Sequence, residues 1–144
     1  MASRMIQSYR SGAEMYNGDA FCKKKSIQLL EEIDLPNGLF PVDDIEEFGY
    51  NCDIVFVWLI QKKNKDHTFK KKIKKAVSYA PEVKTFVENG KMKKMTGVKT
   101  NELMLWLSVV EMYIEDRSLK KITFKTSTGV SDSFPIFAFK LCLY

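Results

Sequence analysis

Asp53-Ile54-Val55-Phe56-Val57-Trp58-Leu59-Ile60-Gln61 decides the fold class of this chain. The apolar run from Ile54 to Ile60 is far shorter than the roughly 20 residues needed to cross a bilayer. It is made largely of β-branched and aromatic residues, which lose rotamer freedom in a helix and fit a pleated surface. Read as a strand, it is apolar on both faces. Such a strand has to be covered on both sides, or lie at the centre of a closed or layered sheet.

Outward from that strand, nearly everything after Pro36 reads as β. Val83, Thr85, Phe86 and Val87 lead to Asn89-Gly90, with Met92 and Met95 beyond. Asn-Gly tolerates positive φ, so a type I′ hairpin turn is expected there. In Lys120–Thr126, lysine and threonine alternate outward with Ile122 and Phe124 inward, and Thr128-Gly129 turns the chain. Ser133–Phe139 reads as a last strand, with a bulge expected at Pro135. Asn101–Ile114 fits either helix or strand, because its Leu and Met residues alternate yet favour helices.

Upstream the signals are helical. Residues 3–16 carry weak helical periodicity, interrupted by Gly12. Asp19 is expected to cap a second helix from Ala20 to about Ile33, with Ile27, Leu30 and Ile33 on the inner face and Leu35-Pro36-Asn37-Gly38 as its stop. The expected class is therefore α+β, mainly β. Residues 1–35 form a helical segment packed on a β domain of residues 36–144, and the whole is one structural domain.

At 144 residues the chain is long enough for a core without disulfide or metal staples. It carries 23 Lys plus Arg against 18 Asp plus Glu, and only Arg4, Arg10 and Arg117 are Arg. Nucleic-acid readers lean on the planar Arg fork and on interleaved aromatics, so no nucleic-acid partner is expected. Cys22, Cys52 and Cys142 have no short spacing, and free buried thiols in a reducing compartment are expected. With one His and no cluster of ligand-type residues, no metal and no cofactor are expected. The absence of a signal-like N-terminus points to the cytoplasm, peripheral to an internal membrane if to any.

Charge is segregated. Seven acids and no Lys or Arg lie between Glu31 and Glu47, whereas eight lysines lie between Lys62 and Lys75. Lysine runs are more often solvated faces than ligand sites, and this one could also simply face the acidic 31–47 segment. The functional alternative is a membrane-surface site of Phe69, Lys70, Lys71, Lys72, Lys74 and Lys75 on anionic lipid. His67 beside Asp66 reads as a solvent-exposed turn residue, since no nucleophile elbow accompanies it. Tyr50, Tyr79 and Tyr113 are the other weak candidates for catalysis. The aromatic and Met residues line either a filled core or an adaptable pocket, and pattern alone favours the filled core.

The string Leu29–Val42, with Leu35, Pro36, Gly38, Leu39 and Pro41 at its turn, is followed directly by Asp43–Tyr50. Then come Phe56-Val-Trp-Leu, Val77-Ser-Tyr, Gly90–Val98, Leu105-Trp-Leu and Ser133-Phe-Pro with Phe139. In this order they resemble a plant family catalogued as domain of unknown function 538. Ala13–Asp19 with Cys22 is similar to a trichome-related subgroup of it. Where that subgroup has an arginine and a glycine, this chain has Asn51-Cys52-Asp53-Ile54-Val55. The resemblance implies a helical N-terminus followed by an antiparallel β-barrel-like sheet, which makes Asn101–Ile114 mainly strand. It also implies a comparison with lipid-tunnel proteins and with chlorophyll hydrolysis, and it supplies no catalytic residue.

The leading expectation is a binding module, not an enzyme. A small hydrophobic ligand or lipid would lie in an apolar cavity of about 300 Å³ or more, against Phe56, Trp58, Met104, Trp106 and Phe124, with the lysine run at an anionic membrane surface. The alternatives are a hydrolase or isomerase acting on an apolar plant metabolite or pigment ester in the same cavity, and a non-enzymatic interaction scaffold in plant growth.

Overall fold

A computed structural model of the chain describes residues 3–69 and 75–141. The elements in order are α1 (Arg4–Tyr9), β1 (Glu14–Asn17), α2 (Asp19–Glu32), β2 (Ile45–Asn51), β3 (Phe56–Gln61), β4 (Lys65–Phe69), β5 (Lys75–Glu88), β6 (Lys91–Glu102), β7 (Leu105–Tyr113), β8 (Lys121–Thr126) and β9 (Ser131–Pro135). Single 3₁₀ turns follow β7 and β9. The nine strands of the described residues form one antiparallel sheet, eight of them in the order β1-β2-β3-β5-β6-β7-β8-β9. β4 pairs with the first half of β5, on the edge whose second half pairs with β3.

The sheet is open, which corrects the expected barrel: β1 and β9 are its two edges. Its inner face is occupied by other parts of the same chain. The main core joins Val57, Leu59, Val77, Val98, Val109, Ile122 and Phe124 of the sheet to Cys22, Leu29 and Leu30 of α2, to Leu35, Leu39 and Val42, and to Ala138 and Phe139. Hydrogen bonds lock these plugs in place. Gly38 N–H donates to Phe139 C=O at 2.8 Å, and Gly90 N–H donates to Ile33 C=O at 2.6 Å. Residues on both sides of Leu35 therefore share one core.

β3 is covered on both faces, as its composition requires. Val57 and Leu59 face the main core. Phe56 and Trp58 face a second cluster built on Ile6 of α1. The Trp58 indole N–H donates to Glu47 Oε2 at 2.7 Å, and Arg10 binds the other oxygen of that carboxylate at 2.9 Å. Gly49 is the cross-strand partner of Trp58, and a Cβ at Gly49 would overlap the indole ring. The ring thus lies flat over a backbone that carries no side chain.

β5 bends where Ala80–Val83 face Gly97 alone. Pro81 has no N–H to give the ladder, and the Gln61 amide donates at 3.0 Å to both Tyr79 C=O and Ala80 C=O. Gly97 takes φ +91° with Glu82 C=O against its Cα. Such bulges bend a strand and strengthen its twist.

Several local expectations are corrected. Residues 14–17 are a strand, because β2 offers them a free edge. Asp19 is the first residue of α2 and not its cap; its carboxylate instead accepts from Ile45 N–H at 3.0 Å. The inner face of α2 is Cys22, Ser26, Leu29 and Leu30. That helix ends with Asp34 at φ 61°, where Leu35 N–H reaches Leu30 C=O and Asp34 N–H reaches Glu31 C=O. This is the Schellman arrangement, with Leu35 packed back on the last turn. Pro135 ends β9, and Ile136–Phe139 is a 3₁₀ turn. At Asn89-Gly90 only Gly90 is left-handed, so the turn is not type I′. The pattern that type I′ needs, positive φ at both central residues, occurs instead at Leu103 (49°) and Met104 (71°), between Glu102 and Leu105.

Candidate functional site

The five residues expected to line one cavity lie in three places. Phe56 and Trp58 are fully buried in the α1-side cluster, with the Phe56 ring 5.3 Å from Tyr9 and 5.0 Å from Phe86. Phe124 is in the main core, its ring 5.4 Å from Phe134 and 5.3 Å from Phe139. Met104 and Trp106 are on the surface, 91% and 43% exposed. The residues expected at a membrane surface also divide. Phe69 is core, 4.7 Å from Phe139. Lys75 is mostly buried, paired with Glu102 and lying over the Phe134 ring. Lys70, Lys71, Lys72 and Lys74 lie outside the described residues.

His67 is not in a turn but in β4, half-buried and edge-on to Phe69 at 4.7 Å. The Tyr79 hydroxyl donates to Leu39 C=O at 2.7 Å, and burial pushes its pKa far above the ordinary phenol value. A group held in that way braces the Leu35–Val42 segment and cannot act as a base. Burial also raises the Tyr50 hydroxyl. Of the cysteines, Cys22 is buried, its thiol donating to Tyr16 C=O at 3.2 Å, and burial raises its pKa. Cys52 is exposed, which corrects the expectation of a buried thiol at that position, and Cys142 lies outside the described residues.

The structure does assemble a concave site elsewhere. A cleft of about 290 Å³ opens between α2, residues 37–43, β4 and Leu141. Ile27, Phe40, Pro41, Val42 and Leu141 supply its apolar walls, and Lys23, Asp43, Lys65 and His67 supply its polar ones. Its position follows from the chain. The Schellman stop on α2 and the Gly38–Phe139 hydrogen bond hold residues 37–42 across the inner face. At the rim Asp43 accepts from Lys65 at 2.6 Å and from Lys23 at 3.1 Å. The Lys65 hydrogen bond, with Lys23 next, holds the Asp43 carboxyl below its ordinary range, while the Asp43 hydrogen bond raises Lys23. Lys23 also pairs with Asp19 at 3.3 Å, so two ammonium groups alternate with two carboxylates along this rim. The charge segregation in the sequence is the signal that points here, since acid 43 and lysine 65 come from the two opposed blocks.

A second feature had no counterpart in the sequence reading. Leu103, Met104, Leu105 and Trp106 form the end of the β6–β7 hairpin and are 95%, 91%, 65% and 43% exposed. Among the described residues no group of His, Cys, Asp and Glu could hold a metal ion, and no helix is long and apolar enough to cross a membrane.

Comparison with protein families matches residues 26–140 to a model described as "Protein of unknown function, DUF538". Comparisons with curated proteins and with solved structures found no match.

Proposed function

The chain belongs to the DUF538 family, and on the geometry above we propose that it is a non-catalytic binding module that holds one small amphipathic molecule in the cleft between α2 and β4. The apolar body of that molecule lies on Ile27, Phe40 and Val42, and its polar head lies at the rim of Lys23, Asp43 and Lys65. The observation that carries this reading is the charged rim of Lys23, Asp43 and Lys65 set above apolar walls in a concavity of about 290 Å³, close to the lower bound of about 300 Å³ for small-molecule pockets. The ligand seat moves from the sheet interior to its mouth because the chain's own Phe124, Phe134 and Phe139 fill the interior. Removing apolar ligand surface from water contributes roughly 25 cal/mol per Å², set against the cost of association. Ala13–Asp19 with Cys22 lies outside the matched residues and supports the finer placing in the trichome-related plant subgroup.

The test is titration calorimetry of the full chain with medium- and long-chain fatty acids, compared with Ile27→Glu and Lys65→Glu. Binding should be lost in the first variant and weakened in the second. A chain that binds none of these acids, or variants that bind as wild type, would overturn the reading.

A further inference from the structure

The β6–β7 hairpin overhangs the sheet. Its pairing with β5 runs no further than Thr100↔Val77, and its pairing with β8 begins only at Val109↔Thr126. Past those points Leu103, Met104, Leu105 and Trp106 meet no covering strand among the described residues, and the first two are almost wholly exposed. Both central residues of the turn are large, apolar and left-handed, at φ 49° and 71°. Asn and Gly fill such positions without strain, so folding alone would favour a polar turn here. Monomeric proteins rarely leave contiguous large apolar groups in water without a binding partner.

We propose that this hairpin end inserts into the surface of an anionic membrane. The feature is a projecting point two residues wide and not a flat patch, and a bilayer accepts a point without a matching groove. Trp106 lies two residues behind Met104, about 6–7 Å at the usual strand rise. With the tip side chains at the roughly 5–10 Å depth of interfacial elements, Trp106 sits at headgroup level, where tryptophan is favoured. The surrounding charge is complementary to anionic lipid. Glu102, the one acid at the tip, is neutralised by Lys75. Lys99 is exposed beside Trp106 and makes no ion pair among the described residues, while Asp66, which lines the same hollow, accepts from the Asn64 amide. The described turns at this end of the sheet, Leu103-Met104 and Ser127–Val130, carry no acid. The proposal does not depend on the cleft.

The test uses the full chain with vesicles of phosphatidylcholine, pure or with about a third phosphatidylserine, at low and high salt. Wild type should sediment with the anionic vesicles and be released by salt. Brominated acyl chains should quench Trp106 and spare the buried Trp58, and Trp106→Phe should abolish the quenching. The double variant Leu103→Asn, Met104→Gly should lose binding by about ten-fold or more, while its melting temperature rises above wild type and its fatty-acid titration is unchanged. The proposal is overturned by a variant that binds vesicles as wild type, by quenching that persists in Trp106→Phe, or by wild type that ignores anionic vesicles. Self-association abolished in the double variant, without vesicle binding, would assign the tip to a second copy of the chain and likewise overturn it.

Discussion

Replacing the turn Leu103-Met104 by Asn-Gly should make the protein more stable, although it deletes two large apolar side chains. Left-handed backbone costs an ordinary L-residue about 1–2 kcal/mol, and two adjacent residues bear that cost here. Asn relieves part of it, and Gly relieves all of it at one position. Gly also adds about 0.5–1 kcal/mol of unfolded-chain entropy to be overcome. Packing loses almost nothing, since the two side chains are 95% and 91% exposed. The net gain is about 1–2 kcal/mol. For a chain of this size that raises the melting temperature by roughly 3–6 °C. Thermal unfolding and urea titration measure it. An unchanged or lower midpoint would show that the tip is unstrained or that its side chains pack on the sheet, and the argument from overhang would then fail.

Three further outcomes follow from buried geometry and from charge. Tyr79→Phe leaves the Leu39 carbonyl without its donor in the core, so urea unfolding should show a loss of about 1–3 kcal/mol. In Gly49→Ala the new methyl overlaps the Trp58 indole; displacing that ring from its Glu47 hydrogen bond should cost about 3 kcal/mol or more, with Trp fluorescence shifted in the folded state. The Asp43 carboxyl is depressed by Lys65 first and Lys23 second. Its pairing therefore supports the fold above the ordinary Asp pKa of 3.8 and is lost as pH falls through the depressed value. Screening at this exposed rim keeps the stability effect small, so the readout is the carboxyl titration by NMR, which Lys65→Met should move back toward 3.8.

Local pattern carried much of the architecture. The doubly apolar Phe56–Ile60 required two covers, and the structure supplies them as the main core and α1. Ile122 and Phe124 point inward as expected, but Thr123 and Thr126, expected outward, are buried as well, their hydroxyls bonded to Ser133 and to Val130 C=O. The hairpin at Asn89-Gly90 and the helix ending before Leu35-Pro36 stand where turn chemistry put them. Each of these depends on groups within a few residues of one another, which a linear reading can weigh.

Three other features depended on neighbours distant in the chain. Residues 14–17 are extended because β2 presents unpaired backbone groups to them, a fact written in residues 47–50. The sheet stays open because α2, Leu39 and Phe139 occupy the space a closed barrel would enclose. Leu103–Trp106 show the same alternation as a covered strand, yet they stand exposed, past the last pairings with β5 and β8 among the described residues. Side-chain periodicity records which way each residue points along its own strand. Whether anything lies there to meet it depends on where other strands end, and that is set only when the chain has folded.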